Sequence, residues 1–163
     1  MASNSLSPPQ NSTGSSGAYQ PKGQLTTFSQ AAFVGGSTFA YAFGLGDAGF
    51  VYVPTGCSGG SNMCALHIAF HGCEMDSTLI GQQYVLHGGY LPWADANDIV
   101  VMFPQAQGNP ITNPKGCWDW YGVEGPAFAS RIGTQTLAVK WFMDVLMSQP
   151  LTPNTTASRP SNV

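Results

Sequence analysis

The sequence predicts an α/β fold, a mostly parallel sheet with flanking helices, and three stretches carry that expectation. "IVVMFP", Ile99 to Pro104, is a continuous apolar run whose length suits a strand buried on both faces. "CALHIAF" precedes it, with helical material between the two, which is the rhythm of a parallel crossover. A last amphipathic stretch, 129–147, repeats Ala138, Trp141, Phe142, Val145 and Leu146 at helical spacing.

The elements are justified in chain order. Residues 1–24 are rich in Ser, Pro, Gly and Asn, have almost nothing to bury, and read as a disordered leader. "LTTFSQ" and "GFVYVP" read as strands, the second stopped by Pro54. In "CALHIAF", Ala65, His67 and Ala69 alternate with Leu66, Ile68 and Phe70. Residues 76–97 are helical and broken at Gly88-Gly89, with Asp76 or Ser77 as the cap and Pro92 tolerable in a first turn. The ordered domain is expected over 25–148, and 149–163 reads as a Ser/Thr/Pro-rich tail. Asn11 and Asn154 head glycosylation sequons in the two flanks.

Composition narrows the function. Charged residues make up 8% of the chain, against about 25% in typical soluble domains. With five basic residues and a net charge of −3, no footprint for nucleic acid exists. No apolar run approaches a membrane span. The four cysteines read as two disulfides, in preference to free thiols or to zinc, because no C-x₂-C pair is present. Disulfides point to an extracellular setting. The first residues hold no apolar core of a secretory signal, so the expectation is a piece of a longer secreted protein. Neither a metal nor a cofactor is expected.

In a parallel α/β sheet, chemistry gathers beyond the carboxyl ends of strands. His71-Gly72-Cys73 sits at one such end, and its glycine permits a sharp turn with exposed N–H groups. A nucleophile is harder to find. "GCSGG", Gly56 to Gly60, matches G-x-S-x-G literally, but it lies between cysteines in a turn that leads to a strand, so no helix stands behind Ser58. His67 reads as a structural histidine and His87 as a residue at a helix C-terminus. Asp95, Asp98 and Asp119 are the remaining acids near strand ends or loops, and their order and spacing assemble no triad. "NPKGCWDWYG" brings Trp118, Trp120 and Tyr121 together as an aromatic wall for a flat or polymeric ligand, or as a core plug.

"GFVYVPTGCSGGSNMCALHIAFHGCEM", "GYLPWADANDIVVMFPQA" and "NPKGCWDWYG", in that order, resemble the poly(3-hydroxybutyrate) depolymerase family of α/β-hydrolases, most of all its secreted, circularly permuted, fungal-type members. The resemblance covers about Leu25 to Leu146. It implies a partial α/β-hydrolase fold corresponding to the C-terminal half, with a hydrophobic polyester or small ester as substrate. It further implies that Cys73 supplies a backbone oxyanion donor, with His71 and Gly72 as motif support. Trp120, with Trp118 beside it, would line the substrate crevice. Matching cysteines imply the pairs Cys57–Cys64 and Cys73–Cys117. Family members carry the serine, aspartate and histidine of the triad in another segment, whose place here is taken by the leader. The loop between Gln105 and Gly116 is also shorter than in those members.

Three readings follow. The first is part of a depolymerase-like serine esterase, lacking the triad and inactive unless a missing N-terminal catalytic half completes it. The second is a non-catalytic module that grips a polyester or a glycan through Trp118 and Trp120. The third is a degenerate chain, because half an α/β sheet exposes apolar strand edges.

Overall fold

In the computed structural model, which describes residues 5–9, 19–59 and 64–148, four strands form one sheet with helices on both faces. The strands are β1 (Gln24–Ser29), β2 (Ala48–Val53), β3 (Ala65–Ile68) and β4 (Ile99–Phe103), in the spatial order β1-β2-β4-β3. The helices are α1 (Gln30–Val34), α2 (Ser37–Ala42), α3 (Ser77–Ile80), α4 (Gln83–His87), α5 (Tyr90–Asn97) and α6 (Thr134–Ser148). The tail from Gln149, both sequons and part of the leader lie outside the described residues.

The α/β class holds, but the sheet is mixed and only partly parallel. β1–β2 and β2–β4 are antiparallel, and β3–β4 alone is parallel. The reason lies in the connections. Between β1 and β2 the chain makes two short helices and turns back, whereas α3, α4 and α5 form the one full crossover, between β3 and β4. The two short helices were not expected. Ser29, read as strand, caps α1 through its side chain on the Ala32 N–H, and Gly35 and Gly36, both at positive φ, end α1 and start α2.

Asp76 caps α3 by accepting from the Thr78 N–H at 2.9 Å, as the sequence suggested. The helical stretch breaks at Gly81 as well as at Gly88-Gly89. The last helix starts at Thr134 rather than near Ala129. Turns occupy the residues before it, and a side chain at Gly133 would meet the Phe128 carbonyl.

The sheet buries two layers. Val51, Val100 and Met102 face α1 and α6, where Phe28, Phe33 and Phe142 meet edge to face. Phe50, Tyr52, Val101 and Phe103 face α5 through Leu91 and Ala94. β4 is thus apolar on both sides because both sides are covered. Residues within the leader also touch α5. The Ser7 N–H donates to Asn97 at 2.6 Å, and the hydroxyls of Tyr19 and Tyr52 both donate to Asp95.

Candidate active site

The site grows from the carboxyl end of β3. Ala69 extends the ladder by donating to the Met102 carbonyl at 2.9 Å, and the chain then turns through His71-Gly72-Cys73. His71 is only 3% exposed. Its Nε2 accepts the Ala106 N–H at 3.0 Å, so its Nδ1 carries the proton and donates to the Gly72 carbonyl at 2.7 Å. Both ring nitrogens are spent on backbone. His71 therefore ties the end of β3 to the loop after β4 and has no lone pair left for a nucleophile.

Behind it stands a buried amide pair that sequence reasoning missed. Gln30 Nε2 donates to the carbonyls of Gly46 and Gln105, and Gln30 Oε1 accepts the Gln105 N–H. The Gln105 side chain in turn accepts the Ser77 N–H at 2.8 Å. Asn113 is the other hidden fastener. It accepts from the Cys117 N–H and donates to the Cys117 carbonyl, closing the loop that delivers Cys117.

Cys73 is bonded to Cys117, and Cys57 to Cys64. Beside the first bridge, the Glu74 N–H donates to the Lys115 carbonyl at 2.7 Å. The Cys73 N–H has no acceptor among the described residues, and Cys73 is exposed. It is a fixed, open donor at a strand end.

Trp118 is half-buried, edge-on to Phe70 at 4.9 Å and tilted against His71 at 5.7 Å. Its indole Nε1 is buried and has no partner among the described residues. Phe70, Trp118, Phe128, Gln135 and Val139 line a cavity of about 330 Å³. Trp120 is not part of it. At 70% exposure it lies edge-on to Tyr121, whose hydroxyl donates to the Thr112 carbonyl. Trp118 turns inward and Trp120 outward, so the two do not form one continuous surface.

The other candidate groups lie apart from this strand end or are occupied. Ser58 is exposed and follows a single 3-10 turn; its N–H donates to the Thr55 carbonyl and its hydroxyl to the Pro54 carbonyl, at 3.4 Å, while Gly60 lies outside the described residues. His67 is exposed against Tyr90, and His87 ends α4. Asp95 is held by two tyrosines, and Asp98 sits beside Gly56 at positive φ. Asp119 accepts four backbone N–H groups, from Tyr121, Gly122, Val123 and Glu124. Burial, and then the charge of Asp119, raise the neighbouring Glu124 carboxyl above its ordinary value. Among the described residues no serine or threonine hydroxyl bonds a histidine, and no group of His, Cys, Asp and Glu could hold a metal.

Comparison with known proteins matches this architecture. A polyhydroxybutyrate depolymerase of Talaromyces funiculosus is 35% identical over 126 residues, which take in 71% of this chain and 35% of that protein. A poly(3-hydroxybutyrate) depolymerase of Delftia acidovorans is 36% identical over 129 residues, 78% of this chain and 24% of that protein. The crystal structure of the PHB depolymerase from Penicillium funiculosum aligns at 31% identity with a TM-score of 0.65, over 76% of this chain and 40% of its own. A serine-to-alanine PHB depolymerase complexed with an R3HB trimer aligns at 31% identity and a TM-score of 0.67, over 74% of this chain and 39% of its own. No protein-family model matches the chain. The chain spans about a third or less of the length of the curated relatives it matches. By sequence and by fold the chain is a homologue of the polyhydroxybutyrate depolymerases and shares part of their α/β-hydrolase fold.

Proposed function

We propose that this chain supplies the oxyanion-binding and substrate-contacting part of a polyhydroxybutyrate depolymerase-like ester hydrolase. The nucleophile, base and orienting acid come from the part of the fold that the chain does not contain. The observation that carries the reading is the open Cys73 N–H, held by a disulfide and a spent His71 at a strand end, with no nucleophile beside it. Such a donor stabilises a tetrahedral oxyanion by roughly 3–4 kcal/mol once an attacking group is present. Trp120 and Trp118 flank the acyl chain, and the substrate is a short-chain polyester. Two disulfides fit a protein that works outside the cell. The domain runs over 25–148 between a leader and a tail.

The test is hydrolysis of a p-nitrophenyl ester by the 163-residue chain, with Ser58→Ala as control. No rate above background is expected. A rate abolished by Ser58→Ala overturns the reading and makes "GCSGG" a working elbow.

A second reading rests on the exposed patch of Ile111, Trp120 and Tyr121, the first two 91% and 70% exposed. Such a patch suits adsorption to an insoluble polymer. Loss of polymer binding in Trp120→Ala, without esterase activity in the parent, favours a binding module. A molten, aggregating product favours a degenerate chain.

A further inference from the structure

Helix α5 carries Asp95 and Asn97 near its C-terminal end, and both side chains are taken up by residues that precede β1. Asn97 Oδ1 accepts the Ser7 N–H at 2.6 Å, and its Nδ2 donates to the Ser7 carbonyl at 2.9 Å. The same Nδ2 also donates to the Trp93 carbonyl, one turn back in its own helix, at 2.9 Å. That third bond fixes which way the amide points. A carboxamide that takes both the N–H and the C=O of one residue reproduces one rung of an antiparallel ladder.

The segment held in this way is extended by its composition. Pro8 and Pro9 fix their own φ and push the residue before each of them out of the helical region, so little freedom is lost when it is bound. Leu6, just before the held residue, forms a wall of a groove of about 390 Å³ with His67, Tyr90, Trp93 and Ile99. The His67 ring lies against Tyr90 at 5.4 Å, and Trp93 is 42% exposed. Aromatic rings beside a proline-extended backbone, with a side-chain amide on its peptide groups, are the means by which proline-rich segments are generally gripped.

We propose that the α5 groove is a binding site for an extended peptide of the order apolar–X–Pro–Pro, and that residues 5–9 of this chain are its ligand. The Asn97 amide reads the main chain at X, the aromatic groove takes the apolar side chain, and the prolines supply the extended form. A second clamp on the same helix keeps the ligand close. Asp95 accepts the Lys22 N–H at 2.9 Å, the Tyr52 hydroxyl at 2.7 Å and the Tyr19 hydroxyl. Ser7 is thus tethered 12 positions from Tyr19. A short tether holds its ligand at roughly millimolar effective concentration, so an affinity of about 0.1 mM keeps the groove occupied ten parts to one. The same factor weakens any free peptide that competes. The proposal needs no nucleophile and stands apart from the ester-hydrolase reading.

The experiment uses the full 163-residue chain and a capped Ser-Leu-Ser-Pro-Pro peptide, the sequence of residues 5–9. Ser7→Pro removes the N–H that Asn97 accepts and lies outside every strand and helix, so the domain folds as before. In that variant the Trp93 indole N–H and the Asn97 side-chain amide resonances should move, and added peptide should return them toward their parent positions. The peptide should bind Ser7→Pro at least about tenfold more tightly than it binds the parent, whose groove is already filled. Adding Asn97→Ala to Ser7→Pro should abolish that binding. A peptide carrying Leu6→Asp should fail in the same way, and this arm leaves the protein untouched if Asn97→Ala disturbs the helix. Resonances that stay in place in Ser7→Pro, equal binding to both chains, or no binding at millimolar peptide overturns the proposal. So does binding that survives Asn97→Ala. A parent chain that dimerises, and loses the dimer in Ser7→Pro, overturns the assignment of the ligand to the same copy.

Discussion

Replacing His71 with alanine separates a structural histidine from a catalytic one. The imidazole accepts the Ala106 N–H and donates to the Gly72 carbonyl, and both partners sit at the strand ends that hold the site. In His71→Ala the Ala106 N–H, in a residue only 1% exposed, has no acceptor and no water. An unsatisfied buried donor costs about 1–3 kcal/mol, and the lost bond to Gly72 adds about 1 kcal/mol. The total is near 3 kcal/mol, before the void left between Trp118 and Tyr84 is counted. His71→Gln is the informative partner, because a glutamine amide oxygen reaches the position of Nε2 and can accept from Ala106. It should recover about half of the loss. The assay is urea unfolding of the 163-residue chain with disulfides intact, followed by tryptophan fluorescence. If His71→Ala unfolds within 0.5 kcal/mol of the parent, or His71→Gln is no better than alanine, the hydrogen-bond argument fails.

Three further predictions follow from the same geometry. Replacing Cys73 and Cys117 together by serine should cost about 4 kcal/mol and the Cys57/Cys64 pair about 2.5 kcal/mol, from loop separations of 44 and 7 residues; unfolding midpoints in that order check it, and equal losses would contradict the loop-length account. Asp119→Ala should lose about 2–3 kcal/mol and disorder the turn after Trp120, since four backbone N–H groups lose their carboxylate; thermal unfolding and the Trp120 indole resonance read it. Glu124 has a raised folded-state pKa, so the fold holds its proton more tightly than the unfolded chain does. Its ionised form therefore carries a stability cost, absent below the ordinary carboxylate range and growing as pH rises through the raised value. Glu124→Gln should raise Tm at about pH 8 and lose that advantage by about pH 4; a gain that does not depend on pH refutes it.

The sequence was most legible where one residue pattern answers to one environment. β4 is apolar at every position because layers cover both its faces, and that run alone located the centre of the sheet. His71-Gly72-Cys73 was found by topology, as the turn at the end of a parallel strand. Strand direction was less legible. Whether β1, β2 and β4 run parallel depends on helices of five and six residues between Gln30 and Ala42, too short to show a period. Gln30 was invisible for a different reason: its partner Gln105 lies 75 residues away, and nothing local marks a glutamine that will be fully buried. Asp119 was readable in principle. An aspartate shortly before Tyr121-Gly122 is a turn signal, and weighing it as a triad acid overlooked the backbone donors that follow it.

The groups around Cys73 are organised by contacts among the described residues. The donor at Cys73 is fixed by a bridge to Cys117, Cys117 by Asn113, and the strand end by His71, Ala106 and the Gln30–Gln105 pair. Apart from the Cys73 N–H itself, each of these groups finds its partner among the described residues. Among the described residues, the Cys73 N–H and the buried indole N–H of Trp118 are left without a partner, and Phe70 beside Trp118 is 49% exposed. On the proposed function, the chain holds an oxyanion donor in place before any nucleophile arrives, so the donor needs no rearrangement when the reaction begins. The cost of ordering that donor is then met during folding and not during catalysis.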